Sequence, residues 1–291
     1  MDKKYILGVD IGGTNLRMSL IDQDYKMHNQ FMTEINNFKG NMIDGIIDIV
    51  SKYLKKENKI EAIVFGIPGI VQNNKIFSCP NVVELEKSDL KHIVEKKLKI
   101  PVYLEKDVNL IMLAEYNILD IQEKNVLGFF VGTGFGFSMI INGELYEGSH
   151  GFAGELGHVP LKGKSKKCNC GNSGCLELYG AGKKLKELTD NNGSKIEDFF
   201  VDYENSNEYE EFLENILLGI ITAINILDPA VIILGGGVLK MKNFPEKRLR
   251  REIKNNLRDQ SISDNLKILN SKHEKFGGCL GAGIYGFKTF K

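Results

Sequence analysis

Gly154-Glu155-Leu156-Gly157-His158 is followed, ten residues after the histidine, by Cys168-Asn169-Cys170-Gly171-Asn172-Ser173-Gly174-Cys175-Leu176-Glu177. Three of the chain's five cysteines fall within these eight residues from 168 to 175, with a carboxylate near each half of the motif. One neutral imidazole and three thiolates fill the four positions of a tetrahedral zinc ion and leave none open. His158, Cys168, Cys170 and Cys175 are therefore candidate ligands of a structural Zn2+, which would hold a loop and take no part in the chemistry. Gly171 and Gly174 permit the tight turns of a small chelate ring. The Cys-x-Cys-x4-Cys spacing differs from the paired Cys-x2-Cys of zinc ribbons, so a nucleic-acid finger is not the default. The plainer alternative is a loop that happens to hold free thiols.

Two glycine turns suggest phosphate chemistry. Asp10-Ile11-Gly12-Gly13-Thr14 follows an apolar run and leads into Asn15-Leu16-Arg17. Glycines let backbone N–H groups approach phosphate oxygens, and the Thr14 hydroxyl adds a donor. Asp10, at a strand end, can position Mg2+ through waters. Such a turn is common in hairpins, but it is echoed in Gly132-Thr133-Gly134. Gly235-Gly236-Gly237 after an apolar run would let a nucleoside lie against the backbone, or marks a strand-to-helix turn. Arg17 either neutralises phosphate or lies on an exposed strand face. No Gly-x4-Gly-Lys-[Ser/Thr] run occurs, so the nucleotide site is not of the Walker type. No Gly-x-Gly-x-x-Gly opens a helix with the spacing of a dinucleotide fold.

The elements that must position these residues repeat. Residues 6–21 and 127–141 each read as a strand, a Gly/Thr turn and a second strand, closed by Asp22-Gln23-Asp24 and Asn142-Gly143-Glu144 respectively. Two such hairpins about 120 residues apart predict two similar α/β lobes, 1–118 and 119–291, facing each other. Helical spacing of apolar residues runs from Met42 to Leu54. Ala62–Phe65, Val102–Glu105 and Val231–Leu234 read as buried strands. Asp107 is placed to cap a helix reaching about Leu119. A long helix is expected over Phe212–Leu227, stopped by Asp228-Pro229, and a last one over Cys279–Phe287. Lys164-Ser165-Lys166-Lys167 reads as a solvated basic loop.

The chain has 291 residues, 42% apolar and 26% charged, enough for two packed lobes. Thirty-eight basic residues balance 38 acidic ones, which speaks against a nucleic-acid or membrane partner. The apolar run at Tyr5–Val9 is too short for a signal-peptide core, and no stretch approaches the ~18 apolar residues of a membrane span. A cytoplasmic protein is expected. Cys79 and Cys279 read as buried small hydrophobes, and His150 as a loop residue.

Taken together, these motifs resemble the ROK family of sugar kinases and repressors. The likeness spans the chain: Asp10-x-Gly-Gly-Thr14, Gly66-Ile-Pro-Gly69, Pro80-Asn81, Glu105-x-Asp107, Gly132-Thr-Gly134, Ala153-Gly-Glu-x-Gly-His158, the cysteine run to Glu177, and Asp228-Pro-x-x-x-Ile-x-Leu-Gly-Gly-Gly237. The resemblance implies an actin/hexokinase-like, ribonuclease-H-type α/β fold of two lobes with a zinc loop. It implies ATP with Mg2+ as phosphoryl donor, a hexose acceptor, transfer to O6, and a homodimer. It assigns Asp107 as general base, and Asn81, Glu155, His158 and Glu177 as sugar contacts, with His158 also on zinc. Asp10, Gly12, Gly13, Thr14, Asn15, Arg17, Thr133, Gly134 and Gly235–Gly237 become nucleotide contacts. Many family kinases carry Glu-Asn-Asp where this chain has Glu105-Lys106-Asp107. The basic residue, with Asp107-Val-Asn-Leu110, Ser78-Cys-Pro-Asn81 and Gly151–Leu161, looks like the D-allose kinase branch.

The residue types support that chemistry. Phosphoryl transfer needs an aligned alcohol, a proton acceptor and neutralised phosphate charge. Asp107 can take the proton while also capping its helix. Glu155 and Glu177 accept hydrogen bonds from hydroxyls, and Asn81 both donates and accepts. If His158 binds zinc through one nitrogen, the other remains for a hydroxyl. Lobe closure on substrate would exclude water. The rivals are a sugar-sensing repressor, for which the strand beginning at Tyr5 leaves no room for a DNA-binding segment, an inactive sugar-binding module, and a kinase for glucose, fructose or N-acetylmannosamine.

Overall fold

The computed structural model describes residues 4–38, 42–56, 59–273 and 275–290. In chain order these form β1 (Tyr5–Ile11), β2 (Asn15–Asp22), β3 (Met27–Glu34), α1 (Met42–Lys56), β4 (Ile60–Ile67), β5 (Ile70–Gln72), β6 (Lys75–Ser78), α2 (Leu90–Leu98), β7 (Val102–Lys106) and α3 (Asp107–Ile118). Then come β8 (Val126–Val131), β9 (Phe135–Ile141), β10 (Glu144–Leu145), α4 (Glu177–Gly180), α5 (Gly182–Asn192), α6 (Phe199–Asp202) and α7 (Asn207–Leu227). The chain continues with β11 (Val231–Gly235), α8 (Glu246–Asn255), α9 (Gln260–Asn265), β12 (Lys267–Asn270) and α10 (Gly277–Thr289).

Two compact units result. The first comprises Met1–Ile121, Glu147–Ala153 and Lys272–Lys291; the second comprises Gln122–Tyr146 and Gly154–Ser271. The expected division after residue 118 leaves 119–121, 147–153 and 272–291 to the second lobe, whereas their contacts group them with the first. Periodicity identifies the last helix but is silent on where it docks. Here α10 packs under β1 of the first unit, where a β-carbon on Gly8 would run into the Cys279 carbonyl.

In the first unit the sheet order is β3-β2-β1-β4-β7, with β1–β2 antiparallel and β1–β4–β7 parallel. Leu7, Val9 and Ile11 of β1 join a buried cluster with Ile46 and Val50 of α1 and Leu90 and Val94 of α2. The alternate residues Ile6 and Gly8 face α10. A strand covered on both faces loses the polar–apolar alternation of a half-exposed one, which is why Tyr-Ile-Leu-Gly-Val reads as a continuous apolar run.

The second unit repeats the pattern as β10-β9-β8-β11-β12, with an antiparallel hairpin β8–β9 and parallel β8–β11–β12. Both hairpins expected from the internal repeat are present. The long helix starts at Asn207, five residues before the expected Phe212, because Ser206 caps it by accepting the Tyr209 N–H at 3.1 Å. Its end at Leu227 is as expected, with Asp228 left-handed at φ 43°. The last helix starts at Gly277, two residues before the expected Cys279. No helix among the described residues is long and apolar enough to cross a membrane.

Candidate active site

In the first unit, parallel pairing sets Asp10 of β1 beside Gly66 of β4, and Gly66 beside Glu105 of β7. Asp107 follows directly, as the first residue of α3. Asp10 and Asp107 therefore flank Gly66: a β-carbon on that glycine would lie 3.5 Å from Asp10 Oδ1 and 3.6 Å from the Asp107 α-carbon. Carboxyl ends of parallel strands are where α/β sheets bind ligands, since helices start there with free N–H groups. Lys106, in extended conformation, is the capping position, so Asp107 stands one residue further into the helix than expected. Its Oδ1 accepts the Val108 N–H at 2.7 Å, which holds the half-buried carboxylate at the strand–helix junction.

Asp10 is buried, and burial pushes its carboxyl up while Arg17 pulls it back down. Arg17 donates from Nη1 to Asp10 Oδ2 at 3.3 Å, so the side chain turns toward Asp10 instead of standing on an open strand face. Its Nε is buried with no protein acceptor, a donor the protein leaves unsatisfied. Gly13 and Thr14 are exposed at the turn, with Gly12 and Asn15 half-buried beside them and joined by a 2.9 Å backbone bond. Asn81 is exposed, and its carbonyl lies 4.0 Å from the place of a Gly13 β-carbon.

Lys106 and Glu105 carry interactions that spacing alone did not reveal. Lys106 is buried, and its Nζ donates to the Ala153 carbonyl. Glu105 Oε1 accepts from the Lys106 N–H and from Asn109 Nδ2, both at 2.8 Å. Burial, reinforced by the charge of Glu147, pushes the Glu105 carboxyl up to about 7. The segment Glu147–Ala153 is thus engaged at both ends by the two residues that precede Asp107. His150 lies in this segment, exposed, as a loop residue.

The second unit assembles the thiol cluster. One ligand atom each from His158, Cys168, Cys170 and Cys175 lie within 4.8 Å of one another. His158 Nδ1 is 3.6 Å from Cys168 Sγ, and Cys170 Sγ is 3.6 Å from Cys175 Sγ. Atoms bound around one zinc at ~2.0–2.3 Å stand about this far apart, so the donor set and its spacing fit the metal. Gly171 and Gly174 adopt φ of 96° and 73°, as the turns require. His158 Nε2 lies 3.6 Å from Glu155 Oε2, which leaves Nδ1 to the cluster.

Glu177 begins α4, and its Oε1 lies 3.8 Å from Cys168 Sγ. Its Oε2 accepts the Phe135 N–H at 3.4 Å, beside Gly134. The turn itself is braced by α5, whose Gly182 and Lys183 N–H groups donate to the carbonyls of Gly132 and Thr133 at 2.8 and 3.1 Å. Thr133 remains exposed. After β11, Gly236 has φ 95° and presses on the Val131 backbone, which only glycine allows. Beyond it lies a cavity of about 380 Å³ lined by Leu234, Leu239, Met241, Phe244, Leu249 and Asn270, among others. Cys79 and Cys279 are fully buried, as expected of small hydrophobes.

The sequence profile of the ROK family matches residues 6–286. The chain belongs to the ROK family. Among curated relatives, an N-acetyl-D-glucosamine kinase of Haemophilus influenzae (strain 86-028NP) is 27% identical, covering 94% of this chain and 97% of that protein. A xylose repressor of Bacillus spizizenii (strain ATCC 23059 / NRRL B-14472 / W23) is 26% identical, covering 95% of this chain and 75% of that protein. A ROK family glucokinase from Streptomyces griseus, solved with glucose and AMPPNP, superposes with a TM-score of 0.80 at 22% identity, covering 98% of this chain and 99% of that one. At that identity the likeness speaks for the fold, and it is the two-sheet, hexokinase-like α/β fold expected from the ROK motifs.

Proposed function

We propose that this chain is an ATP-dependent sugar kinase that transfers the γ-phosphoryl group to a hexose hydroxyl. The observation that carries this reading is the pair of carboxylates, Asp10 and Asp107, on either side of Gly66 at the carboxyl ends of β1, β4 and β7. In the reaction the hydroxyl oxygen attacks the γ-phosphorus, its proton passes to Asp107, and ADP leaves with the electron pair of the broken P–O bond. Asp10 is suited to orient Mg2+ through waters, and the unsatisfied Arg17 Nε is a donor for phosphate. The Gly12–Asn15 turn of the first unit and the Thr133–Gly134 turn of the second each offer N–H groups and a threonine hydroxyl suited to phosphate. Gly235–Gly237 and the cavity beyond them suit its nucleoside, since small-ligand pockets begin at roughly 300 Å³. Asn81, Glu155, His158 and Glu177 are assigned to the sugar hydroxyls.

The proposed zinc site cross-links residues 158–175 and so fixes the backbone that presents His158 and Glu177. The proposed hexose is D-allose, phosphorylated at O6, and the proposed assembly is a homodimer. The allose reading rests on Lys106, a basic residue where many relatives carry asparagine. Its ammonium is committed to the Ala153 carbonyl and so is not a free replacement for an amide in the site.

The test is a coupled ATP-consumption assay with Mg2+ across D-allose, D-glucose, D-fructose, N-acetyl-D-glucosamine and N-acetyl-D-mannosamine. Turnover favouring D-allose is expected. Preference for another hexose would remove the allose assignment and leave the kinase reading. Absence of turnover by folded, zinc-loaded protein would remove both. The similarity to a xylose repressor over 95% of this chain favours a sugar-responsive regulator as second reading, and a sugar-dependent gel shift at low salt would bring it forward.

A further inference from the structure

Glu115, on α3, is fully buried. Its Oε2 accepts the Lys272 N–H at 2.9 Å, and its Oε1 accepts the His273 N–H at 2.9 Å and pairs with His273 Nδ1. A carboxylate out of water has to be compensated by hydrogen bonds and opposite charge, and two backbone donors with an imidazole do this. Apolar side chains of similar volume hold a helix to a loop at least as well as a buried ion pair does. What the carboxylate adds is directional bonding, which ties residues 272 and 273 to α3.

The consequence is read in the next residues. A β-carbon on Gly277 would come within 2.8 Å of His273 Cγ and Cδ2, and one on Gly278 within 2.7 Å of Asp10 Cγ. The first turn of α10 is therefore wedged between the His273 ring and the Asp10 carboxylate, and two consecutive glycines make the room. The turn presents the positive end of a 13-residue helix to that carboxylate. An imidazolium at His273 would lower the Asp10 carboxyl in the same sense as Arg17.

We propose that Glu115 and His273 are positioning residues, which act through the first turn of α10 to set the place and electrostatic surroundings of Asp10. The inference rests on the reading of Asp10 as the carboxylate that orients Mg2+-nucleotide. Glu115 grips the backbone, His273 carries the grip to Gly277, and Gly278 carries it to Asp10.

The test uses the full chain with Glu115→Gln, His273→Gln and the double variant. Gln at 273 keeps a donor and removes the imidazole ring that packs against Gly277. Gln at 115 keeps one acceptor and presents N–H groups where the Lys272 N–H now finds an oxygen. Expected in His273→Gln are a five- to fiftyfold loss of kcat, a several-fold rise in the Mg2+ concentration for half-maximal rate at fixed ATP, and a hexose KM within twofold of wild type. The double variant should be no worse than the worse single one, because the two residues act in series. Amide exchange at residues 277–281 should be at least tenfold faster in each variant, with the rest of the unit unchanged. Wild-type exchange and wild-type Mg2+ dependence in folded His273→Gln would overturn the proposal, as would effects that add in the double variant. If Glu115→Gln does not fold, His273→Gln carries the test alone. If wild-type protein turns over no hexose, the kinase reading fails while the exchange measurement still decides whether the clamp exists.

Discussion

The carboxylate of Glu177 occupies the space that a β-carbon on Gly134 would need: such a carbon would lie 2.7 Å from Oε2. The same side chain reaches Cys168 Sγ at 3.8 Å through Oε1. One residue thus joins the thiol cluster to the second glycine turn, so the proposed metal loop and the proposed phosphate turn share a strut within the second unit.

Gly134→Ala should displace Glu177 from the turn. The expected result is a fall of at least tenfold in kcat/KM for ATP with little change in the melting temperature. Gly132→Ala is the contrast, because a β-carbon there meets nothing within 4 Å; it should lose less than threefold. Equal effects of the two substitutions in steady-state assays would refute the strut.

Elemental analysis of reduced protein is expected to find one zinc per chain. Cys175→Ser should abolish stoichiometric zinc and lower the melting temperature on the order of 10 °C, since metal binding free energy is folding free energy. A zinc-free wild-type protein with normal activity would sink the metal assignment.

Asp107→Asn preserves shape and the acceptor for the Val108 N–H but cannot take a proton. We expect kcat to drop roughly 10²- to 10⁴-fold, with hexose binding by calorimetry within a few-fold of wild type. Unchanged turnover would show that proton acceptance lies elsewhere.

Glu105 makes stability depend on pH. Its folded value of about 7 stands above the ordinary 4.5, so the native protein holds a proton that the unfolded chain releases. The contribution is fully present below pH 4.5 and is lost as pH rises through 7. The groups around it are Glu147, Asn109, Lys106 and Tyr285. Glu105→Gln removes the titrating group and keeps an acceptor for Lys106 and Asn109. Melting curves from pH 4.5 to 8 should therefore fall less steeply for the variant than for wild type; parallel curves would contradict the assignment.

Much of this was legible in the chain because the signals are local. The hairpins were readable from two similar strand–turn–strand runs, and the thiol cluster from three cysteines within eight residues. Apolar spacing does not reach the start of α7 because Asn207 to Glu211 is polar apart from Tyr209, and the signal there is the Ser206 cap. Glu115 and His273 could not be paired by any local rule, since 158 residues separate them. In the sequence Lys106 is only a departure from Glu-Asn-Asp, and its bond to the Ala153 carbonyl spans 47 residues, beyond any local signal. Docking of α10 under β1 depends on glycines at 8, 281 and 283, whose missing β-carbons face Cys279, Leu110 and Ile21; nothing in a glycine-rich helix says which strand it will meet.

The assembly of the first unit from three separate stretches has a consequence for the order of events during synthesis. Residues 122–146 and 154–271, the whole of the second unit, emerge before Lys272. That unit can close its sheet while the earlier one still lacks its final helix. Until α10 arrives, the Gly8 face of β1 stays open, Glu115 has no loop to hold, and the Asp10 turn is unsupported from below. The first unit, though translated first, therefore cannot be completed until α10 has emerged, and until then its uncovered strand is open to mispairing.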